Sequence, residues 1–231
     1  MNHFRFSRGL ALLAALMLTT LGATAAPRSV RVLCQGEVPA EAYYYDGKES
    51  HPLKLARGQF TAPFAYANAR FALFATPPVF DSAGRLQTTP MAYVELPADA
   101  PQALVLLAGN PAGYTTLAMP LPASKGTQTL TLVNLTPVQL GVAVDKATLQ
   151  LAAKTAQSLN LPASDDEKVA RYTLRVAGKN GDTWQPLAMS NLTLRTDRSG
   201  LLVLRQPNAA TGANASSGEK IAWDVVYTPG S

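Results

Sequence analysis

Cysteine and histidine are almost missing from this chain: one cysteine, Cys34, and two histidines, His3 and His51, in 231 residues. A single cysteine excludes an intramolecular disulfide, and it also excludes the multi-thiolate sets of structural zinc and iron–sulfur sites. A Ser-His-Asp or Cys-His nucleophile needs a histidine. Outside the N-terminal leader only His51 remains, next to Pro52 and with no Cys-His motif around it. Charge is also sparse, at 15% Asp, Glu, Lys and Arg, and the basic residues are scattered rather than clustered, which argues against a nucleic-acid surface. No run outside the leader is apolar for long enough to cross a membrane as a helix.

What is present begins with an export signal. Arg5 and Arg8 precede the apolar run 9–18, and Ala23-Thr24-Ala25 forms a small-x-small cleavage pattern. The reading is a signal peptide over 1–25, with the mature chain starting at Ala26 and located in the periplasm or secreted. Losing Arg5 and Arg8 lowers the formal charge from +5 by two, to +3. Cys34 is not a lipidation site, because Leu33 is too bulky to precede a lipid-modified cysteine.

The remaining chain alternates apolar and polar residues between Gly, Pro and Asn breaks, the signature of an all-β protein. The stretch 127–145, with strands on both sides of Thr136-Pro137, begins a second copy of a pattern already used at 29–46. Five collinear matches relate the halves. Val30–Leu33 pairs with Leu130–Val133 and Tyr43–Asp46 with Val142–Asp145. Ala69–Leu73 pairs with Ala170–Leu174, Leu104–Leu106 with Leu202–Leu204, and Tyr114–Pro120 with Trp223–Pro229. The expected architecture is therefore two tandem immunoglobulin-like β-sandwich domains, 28–120 and 127–229, joined by a linker at 121–126, with a flexible insertion at 207–219.

Turn chemistry supports that layout. Asp46-Gly47 predicts a hairpin, Asp81-Ser82-Ala83-Gly84 a second turn, and Asn180-Gly181-Asp182 another hairpin. Ser164-Asp165-Asp166-Glu167 has capping-box spacing and predicts one helical turn. Cys34 shares a strand face with Val30 and Val32 and is expected to be a buried small hydrophobe.

Val30-Arg31-Val32 with Asp46-Gly47, and Asn134-Leu135-Thr136-Pro137 in the second copy, resemble the opening strands of immunoglobulin-like modules of exported bacterial proteins. That resemblance implies a sandwich fold and no chemistry. The first copy lacks the Asn-x-Thr-Pro step, and the second has Asp145-Lys146 in place of Asp-Gly. In length, export and basicity the chain is also similar to periplasmic pilus chaperones, but it lacks a motif for their cleft arginine and lysine and the proline-rich end of their donor strand.

The function expected from these features is that of an exported, non-catalytic structural or interaction protein of the cell envelope. A carbohydrate-binding module or a periplasmic assembly chaperone or adaptor are the alternatives. No cofactor, metal or catalytic residue is expected. Partner binding is assigned to Tyr43, Tyr44 and Tyr45, because on an alternating strand at least one of the three reaches the surface and tyrosine supplies contact area at little entropic cost. The aromatic residues available for a sugar are Tyr43, Tyr45, Trp184 and Trp223.

Overall fold

The computed structural model describes residues 27–110, 113–122, 129–161, 168–207 and 220–229. The expected signal peptide at 1–25, the expected capping-box turn at 164–167, most of the expected linker at 121–126 and residues 208–219 of the expected insertion lie outside them.

Among the described residues there is no helix, and so none long and apolar enough to cross a membrane. The first half contains β1 (Arg28–Gly36), β2 (Tyr43–Tyr45), β3 (Ser50–Pro52), β4 (Phe64–Tyr66), β5 (Arg70–Phe74), β6 (Ala92–Glu95), β7 (Gln102–Asn110) and β8 (Gly113–Pro120). The second contains β9 (Thr129–Asn134), β10 (Leu140–Val144), β11 (Ala147–Leu151), β12 (Thr155–Asn160), β13 (Val169–Asn180), β14 (Thr183–Arg195), β15 (Gly200–Arg205) and β16 (Ala222–Tyr227).

They form four sheets of four strands, consistent with β-sandwiches: β4-β1-β7-β8 and β3-β2-β5-β6, then β12-β9-β15-β16 and β11-β10-β13-β14. The second pair of sheets repeats the first strand for strand. In both halves the first strand lies parallel to the seventh (β1 with β7, β9 with β15), and the second strand lies in the opposite sheet.

All five matches seen in the sequence fall on equivalent strands; with Val32 set against Leu132 and Leu73 against Leu174, the residue registers of the other three need correction. Val105 pairs with Val32, and Leu202 pairs with Leu132, so Val105 is the equivalent of Leu202. The sequence match, which set Leu104 against Leu202, is one residue out, and a slip of one turns every side chain to the other face. The same holds for β2. Tyr44 opposes Leu73 as Val144 opposes Leu174, so Tyr44 rather than Tyr45 corresponds to Val144. In β8 the slip is two residues: Leu117 opposes Leu106 as Asp224 opposes Val203.

Three cores hold the sheets. One lies within the first half, around Val30, Val32, Phe71, Leu73, Val105 and Leu107. Another lies within the second half, around Leu132, Leu140, Leu174, Leu192, Leu202 and Leu204. The third joins the halves: Leu33, Leu104, Leu106 and Ala108 of β1 and β7 pack with Val133, Leu135, Leu201 and Val203. Strands β7 and β15 are thus buried on both faces, which is why they read as continuous apolar runs and accept parallel partners. Full burial of each such leucine contributes about 1.5–3 kcal/mol, so the shared core is a substantial contact and not an incidental one.

The Asn-Leu-Thr-Pro step after β9 has a local cause. Asn134, fully buried, donates from Nδ2 to the carbonyls of Val138 (2.8 Å), Ala152 (2.9 Å) and Leu151 (3.3 Å). Its Oδ1 accepts from the Thr136 amide (2.9 Å) and hydroxyl (2.7 Å). One side chain therefore ties the β9–β10 turn to the end of β11. In the first half the equivalent position is Cys34, also fully buried, whose Sγ lies 3.6 Å from the Glu37 carbonyl.

Candidate functional site

The three tyrosines of β2 divide between faces. Tyr44 points inward and is 8% exposed, its ring against Phe64 (4.4 Å between centroids), His51 (5.0 Å), Tyr66 and Phe71 (both 6.2 Å). It is a core residue, which leaves Tyr43 and Tyr45 as the residues of this strand that face outward. Both are half-buried on the outer face. Tyr43 donates its hydroxyl to Glu41 at 3.3 Å. The Tyr45 ring is 4.7 Å from Phe80, which the excursion between β5 and β6 brings over the sheet. That excursion turns at 81–84, as its sequence predicts: Asp81 Oδ1 accepts the amides of Ala83 (2.9 Å) and Arg85 (2.8 Å).

The turn after β2 assembles a cluster that the sequence reading leaves dispersed. Gly47 takes φ +105°. Asp46 Oδ1 accepts the backbone amides of Lys48 (2.7 Å) and Glu49 (2.9 Å), which leaves Oδ2 to meet His51 Nε2 at 2.9 Å. Glu49 Oε1 stands 4.0 Å from the same nitrogen. The amide of Glu49, then His51 and the amide of Lys48, hold the Asp46 carboxyl well below the usual carboxylate range. His51 is therefore an anchored group beside two carboxylates rather than an isolated strand residue. The signal in the sequence is Asp-x-x-Glu-x-His over a hairpin turn, visible only once Tyr45 is known to pair with Ser50.

A second region lies on the outer face of the β11-β10-β13-β14 sheet. Leu140, Val142 and Val144 turn inward, leaving Gly141 and Ala143 outward on β10. A bulge between Val176 and Ala177 shifts β14 along β13. From β14, Trp184 reaches across β13 so that its six-membered ring comes within 3.2 Å of where a Cβ on Gly141 would stand. The indole remains 41% exposed. The result is an open groove of about 720 Å3 with a floor of Gly141, Ala143 and Ala177. Trp184, Pro186 and Met189 stand on one side, Thr148 and Gln150 on the other, and Arg175 also lines it.

The remaining aromatic and thiol candidates are structural. Trp223 is 9% exposed within the second-half core. Cys34 is buried in β1, in a different sheet from His51. Burial pushes its thiol up to about 11, the opposite of an activated nucleophile. Comparison with protein-family models and with characterised proteins returned no match.

Proposed function

We propose that this is an exported, non-catalytic binding protein of the cell envelope, built from tandem immunoglobulin-like sandwiches, and that the outer groove of its second half binds a glycan. The observation that carries this reading is Trp184 laid over Gly141. A flat, half-exposed indole beside a floor of small residues offers a surface for the apolar face of a sugar ring. Thr148, Gln150 and Arg175 supply donors and acceptors for its hydroxyls. The floor of the groove is on β10 and β13, which have strand partners on both sides, so recognition over that floor rests on side chains.

Repeated sheet orders in the two halves support the tandem-sandwich part, with domains at 28–120 and 127–229 around the 121–126 linker. The cleavage pattern at Ala23-Thr24-Ala25 supports export. A chaperone reading has less support, because the shared core fills the face between the halves where a strand-lending cleft would open. A protein-binding role for the first half is favoured by Val79 and Leu86, both exposed, beside the Tyr45–Phe80 contact. Tyr43 and Tyr45 would frame that surface.

The test is titration with soluble oligosaccharides (chitohexaose, cellohexaose and xylohexaose), followed by tryptophan fluorescence and calorimetry. Binding that disappears in Trp184→Ala, with the far-UV spectrum unchanged, is the expected result. Binding that survives Trp184→Ala, or no response to any of the three, would remove the groove from consideration.

A further inference from the structure

We propose that the turn between β2 and β3 holds a zinc-class divalent ion, with His51 Nε2, Asp46 Oδ2 and Glu49 Oε1 as its three protein ligands. These three atoms lie within 4.8 Å of one another. Two of the separations, 2.9 Å from Asp46 and 4.0 Å from Glu49 to the imidazole nitrogen, bracket the roughly 3.3 Å expected between ligands around a tetrahedral zinc. Glu49 is exposed, so its carboxylate can close the remaining distance by side-chain rotation alone.

Preorganisation distinguishes this trio from a chance meeting of surface charges. The His51 ring stacks on Tyr44, 5.0 Å between centroids and 26° between planes, and Tyr44 is itself fixed in the core. Asp46 is held through Oδ1 by two amides, so Oδ2 faces the histidine without further choice. His51 lies on β3 and Asp46 directly follows β2, so only the exposed Glu49 needs to move.

Charge gives an independent reason. Among the described residues no lysine or arginine forms an ion pair with Asp46 or Glu49; His51 is their one cationic partner. Two carboxylates against one imidazole leave the cluster negative whether or not the imidazole is protonated, although the whole chain is basic at +5. A divalent ion would neutralise that excess. The imidazole donor selects against calcium and magnesium, which take oxygen ligands, and in favour of zinc. Three protein ligands leave one coordination position for water or a partner's side chain. Binding replaces the His51–Asp46 hydrogen bond; an imidazolium gives up its Nε2 proton to solvent as the ion enters, whereas a neutral ring carrying its proton on Nε2 moves it to Nδ1 with no net release.

The decisive experiment is calorimetric titration of the full chain with ZnCl2, after chelator treatment and without a polyhistidine tag, alongside His51→Ala and Glu49→Gln. Glu49→Gln leaves the Asp46–His51 hydrogen bond and the Tyr44 stack in place, so it tests ligation without threatening the fold. The expected result is one zinc per chain, weakened about tenfold or more by Glu49→Gln and abolished by His51→Ala, with calcium failing to compete. No zinc uptake by the parent chain, uptake unchanged in Glu49→Gln, or calcium bound equally well would each overturn the assignment.

Discussion

Trp184 and Gly141 belong to strands β14 and β10, separated by β13, and the indole occupies the space above Gly141 that any other residue's side chain would claim. The glycine is needed for space rather than for backbone freedom. Gly141→Val should therefore displace the ring while suiting the strand. The expected outcome is a red shift in tryptophan emission and loss of oligosaccharide binding, with little change in melting temperature. Unchanged emission and binding would show that Gly141 does not set the position of the indole.

The shared core predicts that the halves unfold as one cooperative unit. Leu106, fully buried between them, loses its packing in Leu106→Ala at a cost of about 2–5 kcal/mol. Hydrogen exchange in urea should show amides of β5 and β13 becoming exposed in one transition in both parent and variant. Two separate transitions, with only β5 affected by the substitution, would show that the halves unfold independently.

Asn134 satisfies five polar groups at once. Asn134→Ala would take the side-chain partner from the Thr136 amide and the Leu151 carbonyl, while the Thr136 hydroxyl keeps the Val138 carbonyl (3.2 Å) and the Ala152 carbonyl keeps the Thr155 hydroxyl (2.8 Å); an unsatisfied buried group costs about 1–3 kcal/mol. Urea unfolding should show a loss of about 1–3 kcal/mol. Cys34→Ala, at the equivalent place in the first half, should cost less, because Cys34 makes only one weak contact of this kind.

Cys34 predicts an alkaline limb in the stability profile. Its folded pKa is raised by burial from 9.0 to about 11, so the folded state prefers the neutral thiol. The stabilisation is complete below pH 9 and is lost as pH rises from there towards about 11, because the unfolded chain releases its proton first. Cys34→Ala should flatten that limb in urea titrations. At pH 8 the native thiol should resist a disulfide reagent and react once denatured; rapid labelling of the native protein would contradict its burial.

The alternation of apolar and polar residues, together with glycine and aspartate at the turns, determined that the chain is all-β, that its halves share five collinear segments, and where several hairpins reverse. These are local properties, encoded by neighbours in sequence. Register was a different matter. Strands such as β7 and β15 are apolar at nearly every position, because one face meets its own sandwich and the other the shared core. Such a run has no phase, so its alignment slipped by one residue. Likewise, alternation separated Tyr44 from Tyr43 and Tyr45 but did not say which face was inside. That was decided by Phe64, Tyr66 and Phe71, which arrive from other strands. The Asp46–Glu49–His51 cluster and the Trp184–Gly141 contact depend on pairing across a turn and across an intervening strand. Only the tertiary structure decided them, because the distance between two side chains in a sheet depends on which residues the hydrogen bonds place opposite one another.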